Sequence, residues 1–252
     1  MRRLIKDFEF LFKKTFFSQS YLLKKRLIRA IKKNYEKELE IVGEFTDKYK
    51  DAIDIGVYRG VYSYKLSQHF KHVHSFEPNP LLYPYLEKNL TKIIKNISLY
   101  NFALSDTNGE THLKLPVRSK SIFKDNIEEL FKLGAASIHV ENKFKDCKKV
   151  LVKMKRLDDI KFESKIGFIK IDVEGHEIEV IKGGRETIIK NKPVLLIEIE
   201  KRHSNRSVEE SINYINKYGY KCFILKNQVL IPANELEDKK LENNYYFLPE
   251  NV

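Results

Sequence analysis

Asp51-Ala52-Ile53-Asp54-Ile55-Gly56-Val57-Tyr58-Arg59-Gly60 is the stretch on which the fold turns. Ala52–Ile55 reads as a buried strand that stops at Gly56, and residues 61–70 read as the helix that follows. A second strand is expected at His72–Phe76, then a helix over Leu81–Leu90 with Pro84 in its first turn. Ile97–Leu104 reads as a third strand, Asp106-Thr107-Asn108-Gly109 as a turn and Thr111–Leu115 as a further strand. The alternation resumes later, with strands at Val150–Met154, Phe168–Ile171 and Pro193–Ile199 and helices at Glu177–Lys190 and Val208–Tyr218. Cys222–Leu225 and Val229–Ile231 read as a closing hairpin over Lys226-Asn227-Gln228. Strands alternating with helices predict an α/β chain with a mostly parallel sheet, helices on both faces and an antiparallel C-terminal hairpin. Ligands of such sheets bind beyond the carboxyl ends of the strands.

Two segments stand apart from this pattern. Residues 116–148 are polar and weakly periodic, and read as a substrate-side insertion, partly helical around Ile127–Leu133. Residues 1–45 read as a basic amphipathic arm ahead of a domain spanning 46–252. The chain of 252 residues has a net charge of +12, and residues 1–33 hold eleven basic side chains against two acidic ones. The remainder is nearly balanced. Leu4, Phe8 and Phe16 fall at helical spacing, as do Leu23, Leu27 and Ile31, with a break at Ser18-Gln19-Ser20 where Ser20 is placed to cap the second helix. Such an arm suits packing on the following domain or peripheral contact with an anionic membrane surface.

Composition removes other classes. A hydrophobic content of 42% supports a sizeable core. No apolar run approaches the ~18 residues of a membrane span. The start, with Asp7, Glu9 and Lys13-Lys14 among its apolar residues, lacks the stretch of a secretory signal. Cys147 and Cys222 make neither a disulfide framework nor a zinc cluster, which fits a cytoplasmic setting, at most peripheral to the inner face of the membrane.

Three places carry chemistry. At the first, Gly56 and Gly60 allow a tight turn and close approach to the backbone, and the helix start offers N–H groups. Glu77, about 20 residues on, ends the second strand, where a carboxylate takes both hydroxyls of a ribose. An aspartate two residues before the first glycine would repel a pyrophosphate and suits the ammonium of a methionine moiety. Asp54 therefore favours S-adenosylmethionine (SAM) over a dinucleotide. The second place is Asp172-Val173-Glu174-Gly175-His176-Glu177, which gathers three carboxylates after a buried strand, at a cost in repulsion and desolvation. The third is Glu198 and Glu200, on one side of the most apolar strand, followed by His203 in the loop.

Residues 54–63, the Phe76-Glu77-Pro78-Asn79-Pro80 segment, Asn101–Asp106, Arg156–Ile160, Ile169–Gly184 and Lys192–Glu200 resemble, in this order, the FkbM family of SAM-dependent methyltransferases. The resemblance runs from about Asp51 to about His203. It implies a class I, Rossmann-like methyltransferase fold and O-methylation of a hydroxyl, of a sugar, glycan or other small molecule. By position, it implies a methionine pocket shaped by Asp54, Gly56, Val57, Tyr58 and Gly60. Glu77, with Pro78, would hold the ribose, and Ala103, Leu104 and Ser105 would lie near the adenine. Asp172 would sit beside the methyl group, with Glu174, Glu177 and Glu198 around the acceptor. The family commonly reads Ala-Asn where Val57-Tyr58 stand here.

The expected catalytic base is Asp172 or Glu198, with His203 behind them and Glu174 nearby. Magnesium or calcium on Asp172 and Glu198 is an alternative way to acidify the alcohol. The sequence lacks a metal-ligand spacing, so no metal is expected. An RNA methyltransferase, or a non-enzymatic surface-binding protein working through the arm, are the rival readings. The near-neutral body with its carboxylate-rich cleft argues against nucleic acid.

Overall fold

The most regular part of the sequence folds into an eight-stranded sheet in the order β10-β9-β11-β8-β7-β1-β2-β3. Its strands are β1 (Asp51–Ile55), β2 (Val73–Phe76), β3 (Ile97–Tyr100), β7 (Ile166–Ile171), β8 (Val194–Glu198), β9 (Tyr220–Lys226), β10 (Val229–Pro232) and β11 (Asn244–Pro249). A computed structural model describes residues 17–33, 36–116, 136–138, 147–200, 206–235 and 242–250. The run β8-β7-β1-β2-β3 is parallel throughout. β11 lies antiparallel to both β8 and β9, and β9 pairs with β10 as a hairpin. Asn227 and Gln228 both have positive φ, 48° and 65°, as a two-residue hairpin turn matched to strand twist requires.

Residues alternate between the two faces of this sheet, and each face meets its own helices. Ile53, Ile55, Ile169, Ile171, Leu195 and Ile197 pack on α4 (Glu177–Gly183), α5 (Arg185–Asn191) and α6 (Val208–Asn216) through Ile178, Ile181, Ile188 and Ile215. Ala52, Phe168, Leu196 and Tyr246, one residue out of phase, pack on Tyr62 and Leu66 of α2 (Val61–Ser67) and on Leu39, Ile41 and Val42. The latter three lie in short 3-10 turns just ahead of β1. The class I, Rossmann-like architecture expected from the sequence is the one observed.

The arm is seen from residue 17. α1 (Gln19–Lys32) is capped by Ser18, whose side chain accepts from the Tyr21 amide at 3.2 Å; the cap is Ser18 rather than the expected Ser20. Leu23 and Leu27 are both 1% exposed, seated against Val57 and against Leu82, Leu86 and Leu90 around α3 (Tyr83–Ile93). Pro84 occupies the first turn of α3 as expected. Residues 1–16, with the first of the two expected helices of the arm, lie outside the described residues.

Three expectations change in detail. Ile97–Leu104 is not one strand: β3 ends at Tyr100, and β4 (Ala103–Leu104) joins a second sheet of order β4-β6-β5, with β5 (Gly109–Pro116) and β6 (Cys147–Lys155). The break is held by Asn101, whose Nδ2 donates to the Glu77 carbonyl at 2.9 Å. The helix expected over Glu177–Lys190 divides at Gly183-Gly184, because Gly183 lies flat against the Ser105 carbonyl, 1.9 Å from where a Cβ would sit. β11 follows the hairpin and inserts between β8 and β9, so the hairpin is not the end of the sheet. The helix expected around Ile127–Leu133 falls outside the described residues. Of the insertion, the described residues are 116 and 147–148, which end β5 and begin β6, and 136–138, where Ser137 bridges to Lys114.

Candidate functional site

The site lies where β1, β2 and β7 end. Gly56 sits at φ 89°, and its missing Cβ would stand 1.8 Å from the Asp172 carbonyl, so only glycine lets the two strand ends meet. Asp172 N donates to the Ile55 carbonyl at 2.9 Å, which ties the β7 exit to the β1 exit. Gly60, also left-handed, brings α2 against Leu90. Between them Tyr58 is held at φ 49°, a conformation that asparagine adopts more readily than tyrosine. Tyr58 therefore occupies a strained backbone position at the mouth of the cleft.

Glu77 holds this loop. Its Oε2 accepts from the Tyr58 amide and its Oε1 from the Asn79 amide, both at 2.9 Å. The carboxyl is 6% exposed, and burial pushes its pKa up to about 7. Asn79 Oδ1 accepts from the Leu81 amide, whereas Asn79 Nδ2 is buried and finds no hydrogen-bond partner among the described residues. A buried donor without a partner costs on the order of 1–3 kcal/mol. Here it borders a cleft beside a carboxylate, which is where a ligand hydroxyl would satisfy it.

That cleft has a volume of about 450 Å³, within the range of small-molecule sites. Its walls include Gly56, Tyr58, Glu77, Pro78 and Asn79 on one side, Phe102, Ala103 and Leu104 on another, and Asp172, Val173 and Glu174 at the end. Ala136 and Ile138 of the insertion and Leu113 of β5 also reach it. A second chamber, about 720 Å³, adjoins it between α1 and the loop. Glu36, Gly56, Tyr58, Arg59 and Asp172 border both, and Val57 borders the second.

Other expected residues lie close behind these walls. Asp54 is 1% exposed beneath the loop, with its Oδ2 accepting from Ser63 Oγ, and burial raises its pKa to about 7. Ser105 Oγ is 2.9 Å from His176 Nε2, joining β4 to the start of α4. Glu177 Oε1 accepts from the Gly175 amide at 2.9 Å and so braces the turn after Asp172; burial again raises its pKa to about 7. His203 lies outside the described residues.

Asp172 and Glu198 form a carboxyl pair. They end neighbouring parallel strands on the same face, and Glu198 is hydrogen-bonded to Asp172. Burial first, and the Asp172 charge second, push the Glu198 pKa up to about 9, so the pair holds a proton at neutral pH.

The sequence reading passed over the group that anchors this pair. Lys170, 1% exposed, directs its Nζ to within 4.0 Å of Asp172 Oδ2, 3.3 Å of Asn244 Oδ1 and 5.1 Å of the Tyr62 ring centroid. A lysine in so apolar a strand, two residues before an aspartate on the same face, was the available signal. Glu36 was also missed. Its pKa is raised by burial and opposed by Lys170. No group of three or more His, Cys, Asp or Glu side chains suited to a metal occurs among the described residues.

The model of the methyltransferase FkbM domain matches residues 54–222. No curated protein matches. Among solved structures, the chain is similar to methyltransferase FkbM from Methylobacillus flagellatus KT, with 18% identity over 79% of this chain and 44% of that one, TM-score 0.49. The chain thus spans less than half the length of that protein. It is also similar to precorrin-6y C5,15-methyltransferase from Geobacter metallireducens GS-15, with 11% identity over 84% and 85% of the two chains, TM-score 0.40. A third is Sp1610 of Streptococcus pneumoniae, a putative tRNA (m1A22) methyltransferase in complex with S-adenosyl-L-methionine, with 11% identity over 84% and 71%, TM-score 0.43. The matched span begins at Asp54 and takes in the glycine loop, Glu77, the second sheet, Asp172 and Glu198, more than half of all residues, and by that match the chain belongs to the FkbM methyltransferase family.

Proposed function

We propose that the chain is a SAM-dependent O-methyltransferase acting on a hydroxyl of a small molecule or sugar. The observation that carries this reading is the junction of the two cavities. A site with a carboxylate and a buried, unsatisfied amide donor meets a second chamber at Asp172. Glu77 and Asn79 fit the two hydroxyls of a ribose, one as acceptor and one as donor. The apolar wall of Phe102, Ala103 and Leu104 fits an adenine ring. Asp172, Glu174 and Glu36 offer negative charge to a sulfonium and an ammonium.

When bound, SAM supplies a methyl group already activated by its sulfonium. The chain's part is positioning and proton management. Asp172, which borders both cavities, would take the proton of the acceptor hydroxyl as that oxygen accepts the methyl group. Glu198 shares the pair's proton with Asp172, and Lys170 holds Asp172 in place. Among the described residues, Asp172 and Glu198 are joined by no third donor suited to a divalent metal. Transfer of labelled methyl from SAM to a panel of sugars and sugar derivatives tests the reading. Asp172→Asn is expected to lower kcat by about 10²–10⁴-fold, the usual contribution of a general base, while leaving SAM affinity within a few-fold. An Asp172→Asn enzyme as active as wild type would remove Asp172 from the chemistry.

A further inference from the structure

The second chamber has a wall that the cofactor cleft lacks. α1 contributes Leu23, Leu27 and Ala30 to it together with Arg26 and Arg29, one helical turn apart on the same face. Its inner end, at the junction with the cleft, is bordered by Glu36, Arg59 and Asp172. The charges are sorted along the chamber. At the inner end the Arg59 and Lys170 charges act on Glu36, and Lys170 lies 4.0 Å from Asp172. Towards α1 the wall has, among the described residues, two guanidiniums and no carboxyl. Arg26 is half-buried, with its charge acting on the Tyr85 hydroxyl, and Arg29 is exposed.

We propose that this chamber is the acceptor subsite and that it takes a hydroxyl compound bearing an oxyanion, a phosphate or a carboxylate, held by Arg26 and Arg29 with the hydroxyl turned to Asp172. The proposal rests on reading the adjoining cleft as the SAM site. Guanidinium groups match both oxyanions in geometry, and Arg26 and Arg29 face no carboxyl on the described α1 wall, whereas at the inner end Glu36 and Asp172 offset Arg59 and Lys170, so an oxyanion is favoured at the α1 end. A volume of about 720 Å³ accommodates a sugar-sized body beside the apolar side chains of Leu23, Leu27, Val57 and Val61. The basic helix is on this account part of the active site.

The test uses the full chain loaded with S-adenosylhomocysteine and titrated calorimetrically, at one ionic strength, with glucose, glucose 1-phosphate, glucuronate and inorganic pyrophosphate. At least one anionic probe is expected to bind tenfold or more tightly than glucose, and the phosphate and carboxylate arms tell which oxyanion is preferred. The double variant Arg26→Gln, Arg29→Gln is expected to abolish that difference and Arg29→Gln, at an exposed position, to reduce it. Lys24→Gln, on the same helix but outside the chamber, is expected to leave it intact. No preference for anionic probes, or an equal loss in Lys24→Gln, overturns the proposal. Failure of the wild-type chain to bind S-adenosylhomocysteine would instead remove the reading of the cleft on which it rests.

Discussion

Glu77 shows how much one side chain can organise. Its two oxygens take the amides of Tyr58 and Asn79 and so set both the glycine loop and the second loop around the cleft. A hydrogen bond to a charged group contributes about 1.5–3 kcal/mol, so Glu77→Ala is expected to weaken SAM binding roughly 10- to 100-fold. Titration by calorimetry checks this. Gly56→Ala should fail differently. Its Cβ would meet the Asp172 carbonyl at 1.8 Å on backbone that cannot rotate away, and a cost of about 3 kcal/mol or more is expected, read as a lowered midpoint in urea. Glycine spacing and terminal carboxylates were visible in the sequence because they are local. Lys170 was hidden, because its meaning comes from Asp172, Asn244 and Tyr62, which only the folded sheet brings around it.

At the scale of elements, legibility followed periodicity. The parallel strands read as short apolar runs because both of their faces are covered. β11 did not, since its pairing with β8 and β9 is fixed by tertiary contacts and not by any local signal. The break between β3 and β4 turns on Asn101, whose role is set by its hydrogen bond to the Glu77 carbonyl and not by local pattern, so one run of sequence serves two sheets. α1 is the element whose role the structure sharpens most. A 14-residue helix is marginal alone in water, so its order depends on docking through Leu23 and Leu27. Leu27→Ala is expected to cost about 2–5 kcal/mol of that docking. Amide exchange should then accelerate across residues 19–32 while the amides of β1 and β7 keep their protection. Equal loss of protection in both regions would mean that α1 is part of the folding core.

For the whole molecule, the distribution of buried acids sets the pH response. Asp54, Glu77 and Glu177 have pKa values raised by burial to about 7, and Glu198 to about 9. An acid with a raised folded pKa holds its proton longer in the folded state than in the unfolded one. Its contribution is therefore complete below the unfolded value, near 4, and is lost as pH climbs to the folded value. The ligand-free chain is expected to melt at falling temperatures from pH 5 to pH 8, and Glu198→Gln to flatten the decline above pH 7. A cationic ligand favours the ionised carboxyls, so binding should release protons and tighten with pH. Thermal unfolding at four pH values, with and without ligand, checks both signs.

The net charge of +12 first draws attention to polyanions, yet the body is nearly neutral and the positive helix seen in the structure lines the chamber that adjoins the cleft. What unites these scales is one claim: the cleft ending at Asp172 holds SAM. The direct measurement is calorimetric titration of SAM into the full chain and into Glu77→Ala. The account expects saturable one-site binding by the wild type, with proton release at pH 7, and a loss of roughly 10- to 100-fold in the variant. No binding by a folded wild-type chain, or equal affinity in the two proteins, would contradict it.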